Sequence, residues 1–255
     1  MNHPNPSAPR NYPTVDYDEH ARTCAPDDFW AQVKRTVGGK VVSEEHVDMI
    51  MQAIRQHLAI EPKDIVLDLA CGNGALSARL FRACSSLVGV DISSYMIDIA
   101  NQHFAVPPQF TFAASGAAEY VCAEAMPERF TKVMCYASFS YLSEQEAQTT
   151  LQTLHSRFVN VDRVFLGNVP DGERAAAFYA PRIPEPGELT DPRARIGIWR
   201  TRAEFAALAA STGWDTEFGT MPEGYFSGYY RYDAVLHRRS APNASREQVN
   251  PGPVQ

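Results

Sequence analysis

Asp68, Gly72 and Gly74 stand within seven residues of one another in D-L-A-C-G-N-G, and Asp91 follows Gly72 by nineteen positions in V-G-V-D-I-S. Each segment begins as a short apolar run and ends in these polar and glycine residues. Two glycines let a backbone turn sharply and approach a ligand with no Cβ between them. A carboxylate that closes the next strand is placed to accept the two hydroxyls of a ribose. A nucleoside-containing cofactor follows.

Charge separates two such cofactors. Asp68 would repel the pyrophosphate of a dinucleotide, and G-x-G-x-x-G is not completed because Ser77 holds its last position. S-adenosylmethionine instead carries an ammonium and a sulfonium, which nearby carboxylates stabilise.

The elements that must position these residues are legible as short β-branched runs alternating with helical periods. Ile65–Ala70 is a predicted strand, Cys71–Gly74 a tight loop and Ala75–Ala83 a helix. Strands are expected at Leu87–Val90, Gln109–Ala113, Phe130–Tyr136 and Val161–Gly167, with helices at Ser94–His103 and Gly116–Glu124 between them. Ser143 with Glu146, and Thr201 with Glu204, form S/T-x-x-E capping boxes that start two further helices. Trp214–Met221 and Tyr229–Arg238 read as an antiparallel hairpin at the sheet edge. Asp27–Thr36 and Ser43–Leu58 are expected helices ahead of the first sheet strand. No internal repeat or linker divides the chain. The expected organisation is a flexible segment over 1–26, a helical lid over 27–60, a core over 61–240 and a flexible tail over 241–255, in an α/β fold with helices on both faces of a mostly parallel sheet.

The pair D-L-A-C-G-N-G and V-G-V-D-I-S resembles the class I S-adenosylmethionine-dependent methyltransferases, over roughly 65–238. That resemblance implies a Rossmann-like seven-stranded sheet whose last strand runs antiparallel, and S-adenosyl-L-methionine as cofactor. By motif position, Asp68, Ala70, Gly72, Asn73 and Gly74 correspond to the methionine-binding loop, Asp91 to the ribose ligand, and Ile92 and Met96 to residues covering adenine. An acidic residue that accepts the adenine amino group in the family would fall at Gly116, so Ser115 or the backbone around Ala117 is expected to take that role. Tyr136, at the exit of the fourth strand, is expected to face the sulfonium. Thr131 replaces a frequent acidic residue and is expected to be structural.

C-Y-A-S-F-S-Y-L at that exit lacks the N-P-P-Y type of sequence used for amide and adenine-amine methylation, and Cys135 follows Met134 rather than a proline. Tyr136 and the Gly167–Asn168 pair offer no carboxylate for a divalent metal, so metal-independent transfer is expected. The acceptor is expected to be a small molecule, with oxygen in a sugar or other polar or anionic metabolite favoured over nitrogen. Such an oxygen must lose a proton, for which His20, Tyr17 and Tyr141 are the candidates. Trp30, Gln32 and Arg35 are expected to form the lid over the cofactor. The long insert at 168–200, with Arg174, Arg182, Arg193, Arg195 and Arg200, is expected to line an acceptor pocket with Trp199, Tyr225, Tyr229, Tyr230 and Arg231. A noncatalytic cofactor-binding or partner-regulating module is the alternative, suggested by Gly116 and by the lack of an evident base.

Composition narrows the remaining classes. The chain has 255 residues, 45% of them hydrophobic, enough for one large core. Its net charge of −7 disfavours a general nucleic-acid binder. The five cysteines lack C-x-x-C spacing and are expected to be reduced, buried thiols. M-N-H-P-N-P-S-A-P-R carries no apolar leader, and no run approaches the roughly 18 apolar residues of a membrane span. A cytoplasmic location without membrane or nucleic-acid partners is expected.

Overall fold

The computed structural model describes residues 17–37 and 39–239. The chain begins there with helix α1 (Tyr17–Thr23), the single turn α2 (Phe29–Gln32), a hairpin of β1 (Thr36–Val37) with β2 (Lys40–Val41), and helix α3 (Glu44–Leu58). Ser43 caps α3 by accepting from the His46 N–H, and Val47, Ile50, Met51, Ile54 and Leu58 form its buried face. That is the period of an amphipathic helix.

Strand and helix then alternate: β3 (Ile65–Leu69), α4 (Ala75–Ala78), β4 (Ser86–Asp91), α5 (Ser94–His103), β5 (Phe110–Ala114), α6 (Ala117–Ala123), β6 (Lys132–Tyr136), α7 (Glu144–Arg157), β7 (Arg163–Pro170), α8 (Ala175–Tyr179), α9 (Arg202–Ser211), β8 (Trp214–Gly219) and β9 (Arg231–Arg238). The seven-stranded sheet has the order β5-β4-β3-β6-β7-β9-β8. Strands β3 to β7 pair in parallel, and β9 is antiparallel to both neighbours. The last strand is therefore inserted between β7 and β8, and β8 is the edge.

Alternation along β3 divides the core. Leu67 and Leu69 join Leu151, Leu154, Phe205 and Trp214 on one face, while Val66 joins Ile54, Leu80, Ile97 and Phe165 on the other. Both capping boxes form, at Ser143 with Glu146 and at Thr201 with Glu204. Thr131 donates to Asp64 at 2.8 Å and accepts from the Ile65 N–H at 3.0 Å, fastening the start of β3 to the chain entering β6.

Several expectations are corrected. The helix expected over 27–36 is only α2, because Lys34 turns left-handed at φ 53° and the β-branched pairs that follow form the hairpin instead. Helix α4 stops at Ala78, and the chain continues in tighter i to i+3 turns. Residues 17–26 include α1, which packs on α2 and α5, whereas 1–16 and 240–255 lie outside the described residues. Helix α3 shares a buried cluster with Val66, Met134 and Phe165, so the second half of the expected lid belongs to the body of the fold. All five cysteines are unpaired, but Cys122 is exposed and Cys24 and Cys71 are half-buried. No helix among the described residues is long and apolar enough to cross a membrane.

Candidate functional site

The sheet order reverses at β3, which has β4 on one side and β6 on the other. In open α/β sheets, ligands sit beyond the carboxyl ends of strands at such a reversal. A cavity of about 990 Å³ opens there, over the ends of β3, β4, β6 and β7. Ala70, Ala137 and Asn168 line it with φ of 58°, 61° and 60°. Non-glycine residues in that region cost about 1–2 kcal/mol each. Bonds around them hold the turns: the Cys71 N–H donates to the Val90 carbonyl, and the Ala137 N–H to that of Gly167, both at 2.9 Å.

Two carboxylates form the floor. Asp91 accepts from the Gly72 N–H at 2.8 Å through Oδ2 and from the Ser93 N–H at 2.9 Å through Oδ1. Burial nevertheless raises its pKa, and the two backbone bonds oppose the rise. Asp68 accepts from the Ser77 hydroxyl at 2.5 Å. Burial pushes its pKa up to about 7, against the Ser77 bond, and the Asp91 charge adds to the rise. Neither carboxylate forms an ion pair with a described cation, so the pair suits a ligand that brings positive charge and hydroxyl donors.

The two loop glycines have different reasons. Gly72 turns at φ 58°, and a Cβ on it would lie 3.1 Å from Val33. Gly74 turns at φ 77°, where a Cβ would meet Ala100 and Phe112 at 3.0 Å. Gly74 thus serves packing against α5 and β5, and it stands outside the cavity lining.

The cavity brings together Tyr17, His20, Trp30, Arg35, Asp68, Ala70, Gly72, Asn73, Asp91, Ile92, Met96, Ser115, Gly116, Ala117, Tyr136, Tyr141 and Tyr229. It leaves out Gln32 and Arg200 and, of the other residues expected in the acceptor pocket, Arg174, Arg182, Arg193 and Trp199. Gln32 is 1% exposed; its amide donates to the Ala25 and Pro26 carbonyls, and its oxygen accepts from Asn73 at 2.9 Å. Asn73 also donates to the Phe29 carbonyl at 2.8 Å, so its side chain ties the glycine loop to α2. Arg200, expected in the acceptor pocket, is buried against Phe139 and donates to Glu144 at 3.0 Å, joining the end of the insert to α7.

Helix α1 spans the mouth. The Ser93 hydroxyl donates to Asp18 on the side of Asp91, and the Tyr17 and Tyr141 hydroxyls lie 3.4 Å apart on the other. Burial and the neighbouring Tyr141 raise the Tyr17 pKa well above its ordinary value. His20 donates from Nε2 to the Ala31 carbonyl at 2.8 Å in the tautomer that satisfies that oxygen. The Arg35 guanidinium lies 5.6 Å over the Tyr136 ring. From the insert, Phe178, Arg195 and Ile196 close the opposite wall.

Several residues of the site were not legible from the sequence, Glu119 and Ser77 among them. Glu119, in the first turn of α6, lines the cavity, and a Cβ on Gly116 would lie 3.9 Å from its Oε2. Its i+3 spacing from Gly116 is the signal that could have found it. Ser77 had signalled only a broken glycine motif. Among the described residues, no group of three or more His, Cys, Asp and Glu side chains is arranged to hold a metal.

Residues 66–158 match the family model of a methyltransferase domain. An uncharacterised methyltransferase of Schizosaccharomyces pombe is 46% identical over 39 residues, 15% of this chain and 14% of that protein. A 23S rRNA uracil-C5 methyltransferase of Photobacterium angustum is 42% identical over 79 residues, 31% of each chain. The matches thus span less than a third of the curated relatives' lengths. The solved structure of an S-adenosylmethionine-dependent methyltransferase from Clostridium acetobutylicum superposes with a TM-score of 0.58 at 10% identity, covering 81% of this chain and 96% of that one. Residues 66–158 thus carry a methyltransferase domain, and the fold is the one shared with that solved methyltransferase structure.

Proposed function

We propose that the protein transfers the methyl group of S-adenosylmethionine to an oxygen of a small polar or anionic metabolite. One observation carries the reading: a single cavity joins the buried carboxylate Asp68 and the half-buried carboxylate Asp91 to a wall of tyrosines and arginines. The cofactor supplies a methyl group already activated on a sulfonium. Asp91 accepts the ribose hydroxyls, Asp68 faces the ammonium, and Arg35 is the cation available to the cofactor's carboxylate. Ile92 and Met96 flank the adenine, and Glu119 supplies the acceptor for its amino group that Gly116 lacks.

Closure by α1 excludes water and orients the acceptor, and orientation supplies much of the rate for an in-line displacement. With its pKa raised, Tyr17 stays protonated near neutral pH and acts as a hydrogen-bond donor. His20 is the proton acceptor, through Nδ1, because Nε2 is engaged with Ala31. The walls contributed by α1 and the insert, together with the net charge of −7, favour a metabolite over an RNA strand. The unpaired cysteines fit a reducing, cytoplasmic location.

The test is transfer of labelled methyl from the cofactor into a small-molecule extract and, in parallel, into total RNA, with mass identification of the product. A methylated metabolite is expected. Labelled RNA alone would refute the small-molecule acceptor, and cofactor binding without transfer to either pool would favour the noncatalytic module.

A further inference from the structure

Arg231 opens β9, lines the cavity and is 8% exposed. Its register partner is Pro170 of β7, just beyond a bulge between Leu166 and Val169. Asn168 projects from that bulge and is held by three side chains. Its N–H donates to Asp233 at 2.7 Å, its Oδ1 accepts from Ser227 at 3.0 Å, and its carbonyl accepts from Arg231 Nη1.

These bonds leave specific donors over. Arg231 Nε is buried without an acceptor, Nη2 has no hydrogen-bond partner among the described residues, and no described carboxylate lies within ion-pair distance of the guanidinium. Nε is sealed from the cavity, so Nη2 is the guanidinium donor left for a ligand. The Asn168 amide Nδ2 is likewise without a described partner, and Asn168 also lines the cavity. Arg129, Arg200 and Arg202 also have a buried Nε without an acceptor, but of the four only Arg231 lines the cavity, where a buried cation without a counter-ion is costly. A ligand oxyanion would pair with Nη2 and the Asn168 amide at once.

Charge and shape narrow the ligand. With Arg35 assigned to the cofactor's carboxylate and Arg195 exposed at the rim, Arg231 is the buried cation left for the acceptor, so a monoanion is neutralised where a phosphate dianion would leave buried negative charge. The neighbouring wall is aromatic: Phe178 and Tyr230 lie 4.6 Å apart between ring centroids, and the Tyr225 hydroxyl meets that of Tyr136 at 3.1 Å. Flat π surfaces favour a planar body.

We infer that the methyl acceptor is a planar organic acid whose carboxylate binds the free Nη2 of Arg231 beside the Asn168 amide. This rests on reading the cavity as a methyl-acceptor site, and it makes Arg231 the residue that selects for the acid.

The experiment is calorimetric titration of the full chain, saturated with S-adenosylhomocysteine, using hydroxybenzoates, the matching hydroxybenzamides and phenyl phosphate. At least one hydroxybenzoate is expected to bind tenfold or more tightly than its amide and than phenyl phosphate. Arg231→Gln should erase that preference, Arg231→Lys should restore part of it, and Asn168→Asp should weaken the acid by repulsion. S-adenosylhomocysteine affinity should stay within about twofold in all three variants, which also shows that they are folded. Equal binding of acid and amide, a preference that survives Arg231→Gln, tighter binding of phenyl phosphate, or no binding of any hydroxybenzoate would each overturn the inference. Failure of S-adenosylhomocysteine to bind the wild-type protein would refute the cofactor reading separately, and the same acid and amide series on the unliganded protein would still decide the role of Arg231.

Discussion

The Ser77 hydroxyl donates to the Asp68 carboxylate at 2.5 Å, with Ser77 0% and Asp68 2% exposed. The serine that breaks the dinucleotide motif thus holds the acid proposed to face the cationic end of the cofactor. Its bond favours the ionised form, but burial outweighs it and leaves the carboxyl titrating at about 7.

Cofactor affinity should therefore rise with pH across about 6 to 8, as Asp68 ionises and can face an ammonium. Stability of the unliganded protein should move the other way. The folded state keeps the Asp68 proton up to about pH 7, whereas the unfolded chain releases it near 3.8, so stability falls as pH rises between those values. Thermal melts against pH should show a flatter decline for Asp68→Asn, which should also bind S-adenosylmethionine at least about tenfold more weakly at pH 8. A wild-type affinity that is flat over this range would remove Asp68 from the cofactor.

Ser77→Ala deletes the bond that lowers the Asp68 pKa. The rise in affinity should shift to higher pH, with weaker binding at pH 7 and recovery near pH 9. Calorimetry at the two pH values separates this from simple damage, which would weaken both.

Asp91→Ala should weaken S-adenosylmethionine by about 1–3 kcal/mol, roughly 5- to 150-fold, because ribose hydroxyls lose a charged acceptor. The Gly72 and Ser93 N–H groups also lose their partner. NAD should bind neither protein, and tighter binding of NAD than of S-adenosylmethionine by the wild type would contradict the charge argument.

Helix α1 joins the two ends of the cavity through Asp18 with Ser93 and Tyr17 with Tyr141. Asp18→Ala, Tyr17→Phe and deletion of residues 1–23 should each lower turnover more than cofactor affinity, since closure acts on the transition state beyond its effect on ground-state binding. The sheet begins only at Ile65, so the deletion should leave it folded. Full turnover by the truncated protein, with its acceptor in hand, would reject α1 as a lid.

Gly74→Ala forces a Cβ to within 3.0 Å of Ala100 and Phe112 at φ 77°. It should destabilise by about 1–3 kcal/mol in denaturant titration. Gly116→Ala meets nothing closer than 3.9 Å and should be nearly neutral to stability.

Local patterns carried much of the fold. Ser143 with Glu146 and Thr201 with Glu204 satisfy helix N–H groups three residues away, so their meaning is complete within one turn. The apolar faces of β3 and α3 are likewise legible because strand and helix periods are intrinsic to the backbone. The glycine loop and Asp91 belong to adjacent strands, and their contact at 2.8 Å needs only the β3 to β4 register.

Partnerships between distant segments follow a different rule. Gln32 and Arg35 sit three residues apart, yet Gln32 is consumed by Ala25, Pro26 and Asn73 while Arg35 faces the cavity. Arg200 and Arg231 are alike as sequence, each among aromatics. Arg200 is neutralised by Glu144, whereas Arg231 reaches Asn168 and is left without a counter-ion. That difference arises from how the insert folds back to the end of β7 and how β9 enters between β7 and β8. Hydrogen bonds within a turn depend on neighbours a few residues away, so the sequence by itself determined most of the sheet strands and capped helices and the pairing of Asp91 with the glycine loop. Which side chains are spent as struts and which remain free for a ligand depends on the packing of whole elements against one another, and only the tertiary structure decided that.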